Sequence, residues 1–242
     1  MKKRLDLVLN EKGFFSSRSK AQIHILSGEV FVNKEKVTTP SRLVPEDSDI
    51  EIKLLKDSFV GRGGIKLEEA LEHYKVDVNN LDCIDIGAST GGFTDCLLKR
   101  NINKIFCVDV GYGQLDFKLR NNSKVTNLER TNARYLTKDI IGQDIDLIVM
   151  DVSFISITKF KSFFSEFVNK DNSFVGLIKP QFELTPQKIG KNGIVTDSDF
   201  RNEAVLSVTS FLEDFYLNVL PPIESPIKGS KGNIEYLVYA KN

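Results

Sequence analysis

Few of the residues that build covalent or metal-held scaffolds occur in this 242-residue chain. The three cysteines, Cys83, Cys96 and Cys107, are odd in number and lack the paired spacing of a zinc site, which argues against a disulfide framework and a structural metal. Each sits in apolar surroundings, such as Leu81-Asp82-Cys83-Ile84 or Ile105-Phe106-Cys107-Val108, where cysteine acts as a small hydrophobe. The two histidines, His24 and His73, lie far apart with no nucleophile or ligand pattern around them, and neither is assigned a role. No stretch approaches the roughly 18 apolar residues of a membrane helix. The opening run Met1 to Gly13 is charged and amphipathic and has no apolar signal core, so a cytoplasmic protein is expected. Net charge is also absent: 33 Lys and Arg balance 33 Asp and Glu. A nucleic-acid partner would therefore need a local basic surface.

Such a local surplus exists at the N-terminus. Residues 1 to 36 carry eight basic side chains (Lys2, Lys3, Arg4, Lys12, Arg18, Lys20, Lys34, Lys36) against four acidic ones (Asp6, Glu11, Glu29, Glu35). The pattern there predicts a helix from Leu5, then a second helix opened by Ser16-Ser17-Arg18-Ser19, whose hydroxyls can cap free N–H groups. That helix stops at Ser27-Gly28. Short strands follow around Val30 to Val32, at Val37, and at Ile50, Ile52 and Leu54. The run from Arg4 to Val37 resembles the alpha-L (S-four type) RNA-binding domain, on Arg4-Leu5-Asp6, Ser16, Arg18, Ala21, Ile25, Gly28, Val30, Val32 and Asn33. The resemblance implies phosphate contacts from Arg18 and Lys20, with Arg4 in support; contacts of this kind orient a protein on RNA without reading its sequence.

Residues 56 to 62 read as a polar linker between a domain at 1–55 and a larger one at 63–242. Beyond it, strands alternate with helices: strands at 83–87, 105–110, 125–128, 145–151, 174–178 and 235–239, helices at 66–71, 94–99, 160–168 and 200–215. This alternation predicts an α/β fold with a parallel sheet covered on both faces.

The turn after the first of these strands, Asp85-Ile86-Gly87-Ala88-Ser89-Thr90-Gly91-Gly92-Phe93-Thr94, is rich in glycine and opens a helix. Cofactors bind at this place in doubly wound sheets, because glycine lets the backbone approach the ligand. No Gly-Lys-Ser/Thr follows, so it is not a P-loop, and its glycines fit the dinucleotide pattern poorly. Asp109 closes the second strand, where a carboxylate can accept from ribose hydroxyls, a feature shared by nicotinamide and S-adenosylmethionine sites. The loop resembles that of Rossmann-like methyltransferases of the FtsJ kind. The resemblance implies S-adenosylmethionine as cofactor, with contacts from Asp85, Gly87, Ser89, Gly91, Gly92, Phe93 and Asp109, and Asn132 at the adenine edge.

Four charges stand in unusual contexts: Lys66 after Arg62-Gly63-Gly64-Ile65, Asp151 after Leu147-Ile148-Val149-Met150, Lys179 after Gly176-Leu177-Ile178, and Glu235 in Asn233-Ile234-Glu235-Tyr236. Charges at the C-terminal ends of parallel strands face the ligand crevice. In order and local motif the four match the Lys-Asp-Lys-Glu tetrad of ribose 2′-O-methyltransferases. Nearly the whole chain resembles the TlyA family, on Arg62-Gly63-Gly64-Ile65-Lys66-Leu67, the glycine loop, Met150 to Ser156, Lys179-Pro180-Gln181-Phe182-Glu183, Gly193-Ile194-Val195 and Gly229 to Tyr236. Gly61 departs from the family's usual serine. The resemblance implies a Rossmann-like class I methyltransferase sheet with a small N-terminal α+β RNA-binding domain. It further implies Lys66, Asp151, Lys179 and Glu235 as catalytic residues, Arg62 beside the other RNA contacts, and ribosomal RNA or ribosomal subunits as partner, methylated on cytidine 2′-hydroxyls. Some members bear the name haemolysin. The alternatives are a membrane-active haemolysin, an RNA-binding protein with an inactive methyltransferase domain, and a nicotinamide-dependent oxidoreductase.

Overall fold

The computed structural model describes residues 2–15, 17–53, 59–229 and 231–242. Ser16, Leu54, residues 56–58 of the expected linker and Ser230 of the C-terminal motif lie outside them. The chain divides into two units, Met1–Arg62 and Gly63–Asn242.

In the first unit, β1 (Lys2–Arg4) runs directly into α1 (Leu5–Glu11). Helix α2 (Arg18–Leu26) starts where the Ser17 hydroxyl accepts from Lys20 N at 3.2 Å, using one of the first-turn N–H groups that have no helical partner. It ends at Gly28, whose φ of +71° suits the left-handed turn after a helix. Four short strands follow, β2 (Val30–Val32), β3 (Glu35–Val37), β4 (Leu43–Pro45) and β5 (Ile50–Ile52). β2 pairs with β3 and β5, both antiparallel, and β1 pairs with β4. Leu5, Val8, Leu9, Ala21, Ile25, Val30, Val32, Val37 and Val44 form the core of this unit. The sequence pattern places a helix first and misses β1. Lys2-Lys3-Arg4 carries no alternation of its own and becomes a strand through pairing with a segment some forty residues away.

The second unit contains α3 (Gly63–His73), β6 (Asp82–Ile86), α4 (Gly92–Lys99), β7 (Lys104–Val108), α5 (Phe117–Arg120), β8 (Val125–Leu128), α6 (Lys138–Ile141) and β9 (Leu147–Met150). It continues through α7 (Lys161–Phe167), β10 (Ser173–Ile178), α8 (Pro180–Glu183), α9 (Ser198–Glu213), β11 (Asn218–Val219), β12 (Ile223–Glu224) and β13 (Tyr236–Lys241). The sheet order is β11-β13-β10-β9-β6-β7-β8, with β12 also on β13. This is the α/β sheet expected from the alternation of elements, in the Rossmann-like arrangement that the resemblance implies. One correction applies: the sheet is mixed. β6 to β10 are parallel, whereas β13 runs antiparallel to β10, β11 and β12. A parallel return needs a crossover, usually helical. Here the chain after α9 instead comes back through two short strands and enters between β11 and β10.

Aromatic burial holds this frame together. Phe164 of α7 is fully buried, with the rings of Phe163, Phe174, Phe211, Phe215 and Tyr216 at centroid distances of 5.2 to 6.4 Å. Each such side chain contributes about 1.5–3 kcal/mol by leaving water. All three cysteines are free and buried.

Candidate active site

The strand ends of the sheet assemble the site. β6 stops at Ile86, and Gly87 turns with φ +81°. A Cβ on Gly87 would lie 2.6 Å from the Asp151 carbonyl oxygen, so only glycine fits there. Gly87 N donates to Val108 O at 2.9 Å and Asp151 N to Ile86 O at 2.9 Å, which locks the ends of β6, β7 and β9 together. Gly91 precedes α4 with φ +95°, and a Cβ there would strike Leu119 at 2.2 Å. The loop therefore follows one tight path from strand to helix.

Beside it lies a cavity of about 600 Å³, walled by Gly87, Ser89, Asp109, Val110, Asn132, Asp151, Phe154 and Ile155 among others. Asp109 follows the end of β7. Its two oxygens accept from Ser89 N at 2.9 Å and Gly111 N at 2.7 Å, which fixes the carboxylate at the cavity wall. Each oxygen keeps a further lone pair for a ligand hydroxyl. The Asn132 side-chain oxygen accepts from Arg134 N at 3.1 Å and caps the following turn.

Four of the expected cofactor contacts, Asp85, Gly91, Gly92 and Phe93, lie outside the walls of this cavity. Gly91, Gly92 and Phe93 are buried in the turn and first residues of α4, where they shape the loop from behind. Asp85 points into the protein: it is fully buried on β6 and accepts from Thr94 Oγ1 at 2.6 Å. Burial pushes its carboxyl up to about 7 against the Thr94 hydrogen bond, with Asp151 and Asp109 adding to the rise. In a strand, alternate side chains face opposite sides, so a motif position alone could not tell a lining acid from a supporting one.

The four expected catalytic charges form two ion pairs. Lys66 Nζ lies 2.5 Å from Glu235 Oε2, and both are buried. Lys179 Nζ lies 2.5 Å from Asp151 Oδ1 and donates to Ser153 Oγ at 2.8 Å. The sheet register brings Asp151, Lys179 and Glu235 to one end of the strands. Ile178 stands opposite Tyr236 in the β10–β13 ladder, so Lys179 and Glu235 are the next residues past its end. Asp151 follows β9 on the neighbouring parallel strand, and it is the member of the four that lines the cavity. Lys66 arrives from α3, whose first residue, Gly63, would place a Cβ 3.7 Å from Asp151 Oδ2.

A Cβ on Gly229 would fall 2.3 Å from Glu235 Oε1, so a side chain there would have to displace that carboxylate. Gly229→Ala should push Glu235 off Lys66 and lower turnover by about tenfold or more, since small displacements of positioned groups are costly. Calorimetry should find cofactor affinity within about twofold of the parent, as Gly229 is not part of the cavity wall. An Ala variant with full turnover would show that the Lys66–Glu235 geometry is dispensable.

In the first unit, Arg4 and Arg18 meet on one carboxylate to which the sequence reading gave no role. Asp6, fully buried, accepts from Arg4 Nη2 at 2.9 Å, Arg18 Nε at 2.9 Å and Gln22 Nε2 at 2.6 Å. Burial pushes the Asp6 carboxyl up, but the hydrogen bonds from Arg4, Gln22 and Arg18 outweigh it and hold it well below the usual carboxylate range. Both arginines remain partly exposed. The signal was the Arg4-Leu5-Asp6 spacing, which turns at the start of α1. Lys20 is exposed on the first turn of α2, and Arg62 stands immediately before α3.

Comparison with known proteins follows this layout. The family model of FtsJ-like methyltransferases matches residues 59–242, and that of the S4 domain matches residues 3–50. Hemolysin A of Brachyspira hyodysenteriae is 43% identical over 98% of both chains. The 16S/23S rRNA (cytidine-2′-O)-methyltransferase TlyA of Mycobacterium tuberculosis is 36% identical over 98% of this chain and 89% of its own. Among solved structures, a Streptococcus thermophilus protein described as a candidate hemolysin superposes with a TM-score of 0.75 at 35% identity, covering 100% of this chain and 89% of its own.

Proposed function

The chain belongs to the FtsJ-like methyltransferases of the TlyA type, and from that premise we propose that it methylates a ribose 2′-hydroxyl of ribosomal RNA, using S-adenosylmethionine, with a cytidine as target. The observation that carries this reading is the convergence of Lys66–Glu235 and Lys179–Asp151 at one end of the strands beside the glycine-loop cavity. The cavity fits the donor. Its volume lies in the range of cofactor sites, its walls include apolar Val108, Val110 and Ile155, and Asp109 offers anchored acceptors to ribose hydroxyls. When bound, the donor supplies an electrophilic methyl on a sulfonium.

The remaining chemistry belongs to the chain's own side chains. A ribose hydroxyl is a weak nucleophile near neutral pH, so it must be aligned and relieved of its proton. Lys179 Nζ, held by Asp151 and Ser153, is placed to meet the hydroxyl: acting as the free amine it takes up the hydroxyl proton as the oxygen attacks, and the ammonium so formed is held by Asp151. Asp151 orients Lys179 and joins it to the cavity wall. Lys66 and Glu235 tie α3 to the start of β13 beside them. In the S4 unit, Arg4, Arg18 and Lys20 supply phosphate contacts, with Asp6 aiming the two arginines, and Arg62 adds a further positive charge. The protein acts in the cytoplasm, on RNA presented by ribosomal subunits.

The deciding experiment is transfer of labelled methyl from S-adenosylmethionine to separated small and large subunits. Label retained in an alkali-resistant dinucleotide would establish ribose 2′-O-methylation and name the subunit. Donor binding without transfer to any RNA would remove the proposal. Within the cavity, Asp109→Ala should weaken donor binding by about 1–3 kcal/mol, the cost of lost hydrogen bonds to a charged acceptor; unchanged affinity by calorimetry would deny Asp109 its ribose role.

A further inference from the structure

Phe154 is an anomaly. It is 90% exposed, lines the cavity, and holds φ at +65°, a left-handed backbone that bulky side chains avoid. Strained conformations of this kind persist only where the surroundings impose them. The segment that carries Phe154 begins at Asp151 and includes Ser153, so whatever imposes the strain also sets the partners of Lys179. On one side that segment is tied by Lys179 itself. On the other it is tied by a residue with no part in the chemistry described above. Glu183, the last residue of α8, accepts from Ser156 Oγ at 2.5 Å and from Ile157 N at 3.0 Å. Between these ties, Phe182 packs on Phe154 with ring centroids 5.1 Å apart.

We propose that Glu183 is a positioning residue: its carboxylate clamps the 151–157 segment against the 179–183 segment and so fixes Asp151, Ser153 and Phe154 in the places Lys179 and the substrate require. The topology supports the assignment. Lys179 and Glu183 are joined by one turn that starts with Pro180, a residue pre-set for the first helical position. The turn therefore acts as a short rigid arm. One end holds Asp151 and Ser153 through Lys179, and the other holds Ser156 and the Ile157 amide through Glu183. Two ties at opposite ends of a strained segment define its path, whereas a single tie would leave it free to relax about Phe154. The location also fits an arranged role. Burial raises the Glu183 carboxyl above its ordinary value, while the Ser156 and Ile157 hydrogen bonds oppose the rise.

This inference rests on the methyltransferase reading for its catalytic consequence, and the test separates the two. Wild type, Glu183→Ala and Glu183→Gln are compared in full-length protein. Hydrogen–deuterium exchange is followed over peptides spanning 151–158, and turnover is expressed per donor-binding site titrated by calorimetry, which removes misfolded protein from the comparison. Glu183→Gln keeps an oxygen for the Ile157 amide and an amide donor for the Ser156 hydroxyl. The expectation is that Glu183→Ala exchanges faster in this segment alone and loses about tenfold or more in kcat, the scale expected when reacting groups drift from alignment. Glu183→Gln should resemble wild type in exchange and stay within about threefold of its kcat. Unchanged exchange in Glu183→Ala, unchanged kcat in it, or a Gln variant as impaired as Ala would each overturn the proposal. A wild-type protein that methylates no RNA would sink the functional reading alone, and the exchange measurement would still decide whether the clamp exists.

Discussion

Lys179→Ala should lower methyl transfer by about a thousandfold, within the range expected when a positioned proton-transfer group is removed, while S-adenosylmethionine still binds within about threefold of the parent affinity. The separation of the two effects follows from the geometry. Lys179 is buried at the end of β10 and touches Asp151 and Ser153, but only the latter two line the cavity. Truncation thus removes the group that meets the ribose hydroxyl and leaves the Asp109 side of the cavity untouched. It also leaves a partly buried Asp151 carboxylate without its cation. Loss of one member of such a pair is destabilising, so turnover has to be taken per donor-binding site. Lys66→Ala offers the contrast. Lys66 and Glu235 are the more deeply buried pair, and opening it should cost about 3–5 kcal/mol of stability as well as activity. A Lys179→Ala protein that retains wild-type turnover per site would show that the proton leaves by another route.

Asp85→Asn should change the pH dependence of stability more than any other single substitution near the site. The Asp85 carboxyl is raised by burial to about 7, from an unfolded value of about 4. Between those values the folded protein holds a proton that the unfolded chain has released. Stability therefore falls as pH rises through that window and levels off above about 7. Three pH units correspond to about 4 kcal/mol, an upper figure for a group with no exposure. Asparagine has the same shape, still accepts from Thr94 Oγ1, and does not titrate. The difference in unfolding free energy between Asp85→Asn and wild type should therefore grow from pH 4 to pH 7 in favour of the variant. Taking the difference cancels groups common to both proteins, including Asp6, whose depressed carboxyl acts in the opposite sense: its contribution is present above the unfolded value and is lost as pH falls. Denaturant titrations at half-unit intervals would measure it, and parallel curves would mean that Asp85 does not titrate in this range.

Residue order and periodicity suggested the two-part division and the strand–loop–helix cofactor turn and singled out Asp151 and Lys179 at strand ends; the resemblance to the ribose 2′-O-methyltransferase tetrad joined Lys66 and Glu235 to them. Those features are local: a glycine-rich turn after an apolar strand, and single charges at strand ends, are written in consecutive residues. Tertiary structure decided everything that depended on which residues far apart in the chain meet. β13 runs antiparallel because its partners are β10 and two short strands, and no local pattern encodes strand direction. The four charges resolve into Lys66 with Glu235 and Lys179 with Asp151 only once the sheet register sets their neighbours. Asp85 and Asp109 look alike as acids next to glycine turns, yet one is sealed beneath the sheet end against Thr94 and the other lies on the cavity wall. Asp6 and Glu183, quoted within the resembling motifs, were given no role for the same reason. Each is an ordinary carboxylate in sequence, and its effect comes from the groups that the fold delivers to it: two arginines in one case, a hydroxyl and a backbone amide in the other. Sequence patterns report what a residue can do, and burial and partners, which exist only in the folded chain, decide what it does.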